Sequence, residues 1–382
     1  MSGSRSTRRA ARLGSPRSLH QRIGQLFMVG IPGPTLEAPT RRAIEELNVG
    51  GVILFRRNLG PPQQVAALIA ELHALRSRPL VAIDHEGGRV QRLGEPFTQF
   101  PAAAVIGRSG HSQLAHQVGA AMAAELASVG IDLNFAPVLD VNSNPANPVI
   151  GDRAFGTDPD VVSAMGIALM RGLLAGGVLP CGKHFPGHGD TATDSHLELP
   201  VVRRTREELE RTELPPFRAA IAAGIPMLMT AHVLYPEIDA ELPATLSRRV
   251  LTDLLRVDLG FQGVLASDDL EMGAIADHQP IGAAAVAALE AGADLVLVCN
   301  DLAQAVAASQ AVERAAVDGE LDAHVIAAAQ RIERLRELRE RRRATACELP
   351  NAEHRGLVER IGNQGSVASD LSADHRLLTT DH

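Results

Sequence analysis

The chain has 382 residues, of which 45% are hydrophobic, enough for a large buried core in a globular protein. Its formal net charge of −8 argues against general nucleic-acid binding, and nine Phe, one Tyr and no Trp leave few rings on which bases could stack. No apolar run approaches the roughly 18 residues of a membrane span, and three widely spaced cysteines give no disulfide framework, so we expect a cytoplasmic protein.

The N-terminal segment 1–19 is basic. It carries five arginines, no acidic residue and no apolar stretch of the kind found in a secretory signal. We predict a disordered arm over these residues, although the composition would also suit a transit peptide.

Eight short runs rich in Val, Ile and Leu follow, as expected for strands buried on both faces. They cover residues 27–31, 52–55, 80–83, 133–141, 179–182, 227–231, 264–266 and 295–298. Segments with helical periodicity separate them, at 41–47, 63–75, 113–128, 161–175, 207–223, 248–258 and 281–291.

This eightfold alternation predicts an α/β protein with a single (β/α)8 TIM-barrel domain, which we place at residues 20–342. A doubly wound sheet fits less well, because the chain has neither a G-x-G-x-x-G turn nor a P-loop. After the last barrel helix, residues 343–382 are polar and predict a weakly ordered tail.

Polar residues follow most of the predicted strands, at the ends where such a barrel carries its active site. They are Asp84 and Glu86 after the third strand, Asp140 and Asn142 after the fourth, Lys183 and His184 after the fifth, His232 after the sixth, Asp268 and Asp269 after the seventh, and Asn300 after the eighth. An Asp or Asn there can also be the N-cap of the next helix, an interpretation open for Asp140, Asp269 and Asn300.

The segment 183–196 holds one lysine, three histidines and two aspartates among glycines and a proline. Such a segment predicts a functional loop rather than a helix or a buried strand. Its glycines at 187 and 189 predict that residues 185–198 move and close over a ligand. The alternative is a loop pinned by Asp190 and Asp194 acting as turn caps.

Four segments of this chain resemble the family 3 glycoside hydrolases, over roughly residues 20–340. They are VAIDHEGGRVQRL, VIGDRAFGTDP, KHFPGHGDTATDSHLELP and VLASDDLEMGAI, in this order. Within that family the chain is similar to the β-N-acetylglucosaminidases of bacterial cell-wall recycling.

The resemblance implies a retaining, two-step mechanism. Asp268 matches the family's nucleophile, which forms a covalent glycosyl-enzyme intermediate. His196 matches the acid/base of this subfamily, and Asp194 matches the carboxylate that orients it. An imidazole titrates near neutral pH, and a neighbouring carboxylate fixes its tautomer, so this pair suits proton transfer.

The resemblance also implies how a sugar is bound. Asp84 would accept hydrogen bonds from ring hydroxyls, and Arg92, Arg153, Lys183 and His184 would donate to hydroxyls and to the acetamido carbonyl. The expected ligand is a small N-acetylglucosamine-containing muropeptide or oligosaccharide. No cofactor, metal, nucleic acid or membrane is expected to take part, and we expect a monomer.

The chain departs from the family at two places. Position 85 is His where the family usually has Gln, beside Asp84. Residues 350–361 resemble the beginning of the second α/β domain that some members carry, and we interpret them as the remnant of such a domain.

Three other functions stay open. The histidines and aspartates of the loop have the right chemistry for a metal-dependent hydrolase, although no H-E-x-x-H is present. A histidine acid/base would also let phosphate replace water, giving an N-acetylglucosaminide phosphorylase. A sugar-binding pseudoenzyme is disfavoured because Asp268, Asp194 and His196 are all retained.

Overall fold

The computed structural model describes residues 18–195, 198–319, 321–342 and 346–362. The predicted N-terminal arm therefore lies almost entirely outside the described residues, as do His196 and the last twenty positions of the predicted tail. Within the described part, no helix is long and apolar enough to cross a membrane.

The core of the described chain is one sheet of nine parallel strand segments. Two further short strands pair antiparallel in a hairpin beside it. In chain order the strands are β1 Phe27–Gly30, β2 Gly51–Leu54, β3 Leu80–Ile83, β4 His85–Gly87, β5 Val90–Gln91, β6 Leu133–Asn134, β7 Leu179–Pro180, β8 Gly182–Phe185, β9 Met227–Thr230, β10 Val264–Asp269 and β11 Leu295–Val298.

The sheet closes on itself. Its order is β7-β6-β3-β2-β1-β11-β10-β9-β8, so the first and last strands of the chain, β1 and β11, are neighbours. The two ends of this order, β7 and β8, are consecutive in the chain and are separated only by Cys181. Counting them as one interrupted strand gives the eight strands of a (β/α)8 barrel, which confirms the predicted fold.

The predicted runs became strands because both of their faces are covered. Every residue of β1, β2, β3, β9 and β11 is buried, with helices outside and packed side chains inside the barrel. The run predicted at 133–141 is the least regular: only Leu133–Asn134 is a strand, and Val138 makes a single bridge to Lys183.

Helices alternate with the strands as predicted, with small differences at their ends. They are Leu19–Gly24, Ala38–Leu47, Pro62–His73, Ala103–Arg108, Ser112–Ser128, Pro159–Ala175, Arg206–Arg211, Leu214–Ala222, Arg249–Asp258, Gly273–Ala276, Ile281–Ala291, Leu302–Val317 and Asp322–Arg341. The helix predicted at 207–223 is two helices, because Pro215 and Pro216 lack the amide protons that a continuous helix would need.

Part of the predicted tail is ordered, which corrects the expectation for residues 346–362. Residues 352–362 form a helix whose Leu357 and Ile361 are buried in the main core. His354 Nδ1 lies 2.8 Å from the buried Glu125 Oε1, and Arg355 Nη2 lies 2.5 Å from Glu95 Oε2. This helix therefore packs against the barrel.

Candidate active site

A cavity of about 400 Å³ opens at the carboxyl ends of the barrel strands. It is lined by seven of the eight residues predicted for the site, and His196, the eighth, lies outside the described residues. The seven are Asp84, Arg92, Arg153, Lys183, His184, Asp194 and Asp268. A larger groove of about 1220 Å³ lies elsewhere, between the helices Arg249–Asp258, Ile281–Ala291 and Asp322–Arg341, and contains none of the predicted residues.

Asp268 ends β10 and faces this cavity. Its Oδ1 accepts a hydrogen bond from the amide of Asp269, at 2.8 Å. Burial would raise the pKa of Asp268, but the nearby His232, His184 and Lys183 outweigh burial, so that its pKa lies below the usual value. The carboxylate is therefore ionised at neutral pH, as a nucleophile must be.

Four charged side chains, of which Lys183 and Glu86 are buried and Asp84 and Arg153 partly buried, form one network on the wall of this cavity. Lys183 Nζ lies 2.7 Å from Asp84 Oδ1 and 2.6 Å from Glu86 Oε1. Arg153 reaches Glu86 with two nitrogens, each at 2.9 Å. Burial would raise the pKa of Glu86, but Arg153 and Lys183 hold it well below its usual range. Arg92 Nη2 lies 3.6 Å from Asp84 Oδ2, close enough for a charge interaction but not for a hydrogen bond.

The sequence of the β3 end explains this geometry. Asp84 follows the strand directly, and the hairpin of β4 and β5 then turns the chain back so that Glu86 and Arg92 face the same cavity. The network supplies both acceptors and donors in a fixed arrangement, as recognition of a polyhydroxylated ligand requires.

Asp140 anchors the loop that follows β8. It is fully buried, and its Oδ2 lies 2.7 Å from His184 Nδ1. Its Oδ1 accepts from the amides of His184 and His188, at 3.1 and 2.8 Å. Burial would raise the pKa of Asp140, but His184 and the hydrogen bonds outweigh it and the pKa is lowered. Asp140 thus fixes the ring orientation of His184 and is not a helix cap.

The beginning of this loop is tightly packed. A Cβ at Gly189 would lie 1.6 Å from the carbonyl oxygen of Val141, and one at Gly187 would lie 2.6 Å from Glu213 Cγ. Asn147 Nδ2 donates to the carbonyls of His188 and Gly189, at 2.8 and 3.0 Å. These glycines therefore permit close packing, a different role from the mobility that we predicted for them.

Asp269 sits beside Asp268 with a different electrostatic character. Burial raises the pKa of Asp269 to about 7, helped by the neighbouring carboxylates of Glu271 and Asp268. Its Oδ1 accepts from the amides of Glu271 and Cys299, at 3.1 and 3.2 Å, and Asn300 Nδ2 lies 3.3 Å from Oδ2. Asp269 therefore stabilises the turn after β10 by accepting these hydrogen bonds, which is similar to the alternative role of a helix N-cap.

The sequence profile of the glycosyl hydrolase family 3 N-terminal domain matches residues 18–335. The chain belongs to glycosyl hydrolase family 3. It is 47% identical to a β-hexosaminidase of Thiobacillus denitrificans over 281 residues, which cover 72% of this chain and 78% of that relative.

Two solved structures resemble this glycoside hydrolase. A family 3 β-N-acetylglucosaminidase from Paenibacillus sp. superposes with a TM-score of 0.88 at 42% identity, covering 92% of this chain and 69% of that one. NagZ from Neisseria gonorrhoeae, solved with N-trifluoroacetyl-D-glucosamine, gives a TM-score of 0.70 at 35% identity, covering 89% and 98%. The prediction of a family 3 glycosidase is thereby confirmed.

Three residues of this family 3 hydrolase's cavity and loop have partners that the sequence alone does not indicate. Glu86 binds both Arg153 and Lys183 in the charge network, and its only signal in the sequence is its place before two glycines at a strand end. The position of Asp140 at a strand end suits a helix N-cap equally well. His188 is one of the titratable groups of the loop, but its partners Thr191 and Ser195 follow from the fold and not from its spacing.

The loop residues of this glycosidase that suggested a metal have other partners. Asp190 pairs with Arg204 at 2.8 Å, His184 with Asp140, and His188 with two hydroxyl groups. Among the described residues, no three His, Cys, Asp or Glu side chains are grouped so that they could hold a metal ion. The metal-independent reaction stays a prediction.

Proposed function

We propose that this protein is a retaining, exo-acting β-N-acetylglucosaminidase that removes terminal β-linked N-acetylglucosamine from peptidoglycan fragments. Asp268 is the nucleophile, His196 the acid/base and Asp194 the carboxylate that orients His196. The observation that carries the proposal is the ionised Asp268 on the wall of a cavity that also contains Asp194 and a fixed set of hydroxyl-binding charges.

In the first step, a carboxylate oxygen of Asp268 attacks the anomeric carbon and the glycosidic C–O bond breaks. The bonding electrons go to the leaving oxygen, which takes a proton from the imidazolium of His196. The product of this step is a glycosyl ester on Asp268 with inverted configuration at the anomeric carbon.

In the second step, water attacks the anomeric carbon and the ester bond to Asp268 breaks. The now neutral His196 takes a proton from that water and returns to its starting state, and the second inversion restores the β configuration. Asp194 lines the same cavity as Asp268, which supports its assignment as the partner that orients His196.

The charge network would bind the sugar. Asp84 accepts from ring hydroxyls, while Arg92, Arg153, Lys183 and His184 donate to hydroxyls and to the acetamido carbonyl. Because Lys183 and Arg153 are already held by Asp84 and Glu86, little side-chain entropy is lost when the sugar binds.

The names of the relatives support N-acetylglucosamine as the sugar that is removed. The peptidoglycan fragment as the rest of the substrate is our inference. Related proteins are called β-hexosaminidases and β-N-acetylglucosaminidases. We assign the chain to cytoplasmic cell-wall recycling as a monomer. Its three cysteines are unpaired, and Cys181 and Cys299 are buried, an arrangement suited to a reducing compartment.

The direct test compares an aryl β-N-acetylglucosaminide with the matching β-glucoside, with and without phosphate. We expect hydrolysis of the first substrate, a product of retained configuration, and no sugar 1-phosphate. Formation of the sugar 1-phosphate would show that the enzyme is a phosphorylase and not a hydrolase. Dialysis against EDTA should leave the activity unchanged, and its loss would favour the metal-dependent alternative.

A second test concerns the acid/base. His196→Ala should slow hydrolysis of a natural disaccharide far more than the first step with an activated aryl leaving group, which needs little protonation. Equal losses on both substrates would show that His196 is not the proton donor.

A further inference from the structure

His188 is buried within the loop root, and both of its ring nitrogens have partners. Its side chain is 2% exposed. Its Nδ1 lies 2.9 Å from Thr191 Oγ1, and its Nε2 lies 3.1 Å from Ser195 Oγ. Its backbone is fixed as well, because the amide donates to Asp140 and the carbonyl accepts from Asn147. The imidazole is therefore a rigid bridge between two points of one loop.

The hydrogen bonds assign the proton roles in this bridge. Thr191 Oγ1 donates to the carbonyl oxygen of His188, at 3.1 Å, and that carbonyl can only accept. With the hydroxyl proton of Thr191 used there, Nδ1 is left to donate to Oγ1. Nε2 is then the acceptor and takes the hydroxyl proton of Ser195. Burial and the nearby His184 lower the pKa of His188 to about 4, in keeping with this neutral form.

Ser195 is held from a second side. Its carbonyl oxygen accepts a hydrogen bond from the amide of Ala274, at 3.3 Å. Ala274 lies six residues after Asp268, in the segment that follows β10. Ser195 is 3% exposed, and Asp194 beside it lines the cavity. The side-chain bond to His188 and the backbone bond to Ala274 together set the position of Ser195 relative to the nucleophile strand.

We propose that His188 is a positioning residue for proton transfer, which ties Ser195 to the loop root and thereby places Asp194, its neighbour in the chain and the carboxylate proposed to orient the acid/base. This inference rests on the proposed function, since His188, which also lines the cavity, is assigned a role through Ser195 and Asp194 and not a role in the bond-breaking steps. The imidazole reaches across the loop from a fixed backbone, and an apolar side chain of similar volume would fill the space without holding the serine hydroxyl.

The test measures leaving-group dependence in three variants. His188→Leu keeps the volume and removes the bond, Ser195→Ala removes the partner, and His188→Gln keeps a polar group able to reach Ser195. For a disaccharide substrate we expect kcat to fall about tenfold in the first two variants, the effect of one lost hydrogen bond. An activated aryl glycoside, whose first step needs little acid, should be turned over in that step at nearly the original rate. KM should change little, and His188→Gln should recover part of kcat.

A double variant provides the control. If both changes break the same bond, His188→Leu with Ser195→Ala should be no slower than either alone. Equal losses on both leaving groups, or additive effects, would show that His188 only supports the fold and would overturn the proposal. If His188→Leu does not fold, Ser195→Ala alone decides, because it removes a single hydroxyl oxygen.

The leaving-group measurements distinguish the acid/base role of His196 from the positioning role of His188. If His196→Ala slows the disaccharide and the activated aryl glycoside equally, the acid/base assignment fails and this proposal fails with it. If His196→Ala slows mainly the disaccharide but Ser195→Ala slows both substrates equally, only the role of His188 is overturned.

Discussion

Asp268 and Asp269 are adjacent carboxylates at one strand end with opposite electrostatic preferences. The pKa of Asp268 is lowered because His232, His184 and Lys183 outweigh its burial, whereas burial raises the pKa of Asp269 to about 7. Asp268 therefore favours the ionised form more strongly than Asp269, which supports the proposal that Asp268 and not Asp269 is the nucleophile.

Replacement of the nucleophile gives the sharpest prediction at this scale. Asp268→Ala should lower kcat by about four orders of magnitude, because no glycosyl ester can form. Asp269→Asn, the matched control, should keep most of the activity since the amide oxygen still accepts from the turn. Mass spectrometry of enzyme trapped with an activated fluoro-sugar should find the label on Asp268. Greater damage in the Asp269 variant would move the assignment by one residue.

Lys183 is predicted to serve both the fold and the substrate. In Lys183→Met, Asp84 and Glu86 lose the ammonium group between them, and breaking such a buried ion pair costs about 3–5 kcal/mol. The variant should have a much lower Tm and a raised KM. Arg41→Met removes an exposed partner of Glu71 and should cost less than about 1 kcal/mol. Equal Tm values for the two variants would contradict a structural role for this network.

At the scale of elements, the loop after β8 divides into parts of different character. The part up to Thr191 is held by Asp140, Asn147 and the packed glycines. The predicted closure over the substrate can therefore apply only beyond this anchored part, where it would have to break or carry along the bonds of Ser195 to His188 and Ala274, and it stays a prediction. A pair of structures, with and without an N-acetylglucosamine analogue, would test it.

Glu213 lies beneath this loop, and its ionisation makes the stability of the protein depend on pH. It is 1% exposed, and burial raises its pKa to about 7, although Arg204 acts against the increase. Because the folded state binds this proton more tightly than the unfolded chain, wild-type stability is lost as pH rises from about 4.5 to 7. Glu213→Gln should gain stability relative to wild type over that interval, by up to about 3 kcal/mol, and level off above it. Denaturant unfolding at several pH values measures this, and the exposed Glu207→Gln should show no such trend.

The sequence predicted elements better than contacts. All eight strand positions were found, because a strand covered on both faces must be a continuous apolar run and each run has local signals at its ends. The roles of Asp140 and His354 could not be found in this way. Their partners His184 and Glu125 lie 44 and 229 residues away, and no local pattern encodes such a distance.

The helix 352–362 was missed for a related reason. Its composition is polar, and its two buried residues, Leu357 and Ile361, are one helical turn apart. This spacing indicates an apolar stripe only when the segment is already assumed to be helical, and the barrel surface that receives it is built from residues far away in the chain.

At the scale of the whole molecule, this helix links the end of the described chain to the active-site hairpin. His354 bonds to Glu125, whose carboxylate accepts from both the amide and the hydroxyl of Thr98, at 2.8 and 2.6 Å. The carbonyl of Thr98 accepts from Gln91 Nε2, at 3.0 Å, and Gln91 precedes Arg92. The position of a predicted sugar-binding residue thus depends on contacts made by a helix outside the barrel.

Removal of the apolar contacts of this helix should reveal how far that dependence extends. Leu357→Ala with Ile361→Ala removes two buried side chains, and each such change costs about 2–5 kcal/mol when the structure stays in place. The full sum is not expected, because the helix can detach and leave the barrel folded, which limits the loss to its own docking free energy. We therefore expect a Tm lower by several degrees, faster hydrogen exchange over residues 352–362 and near Thr98, and a modest increase in KM with kcat preserved. The exposed Glu359→Ala on the same helix is the control and should change none of these. A fall in kcat equal to the rise in KM would show that the helix acts on the reacting groups and not only on the hairpin that carries Arg92.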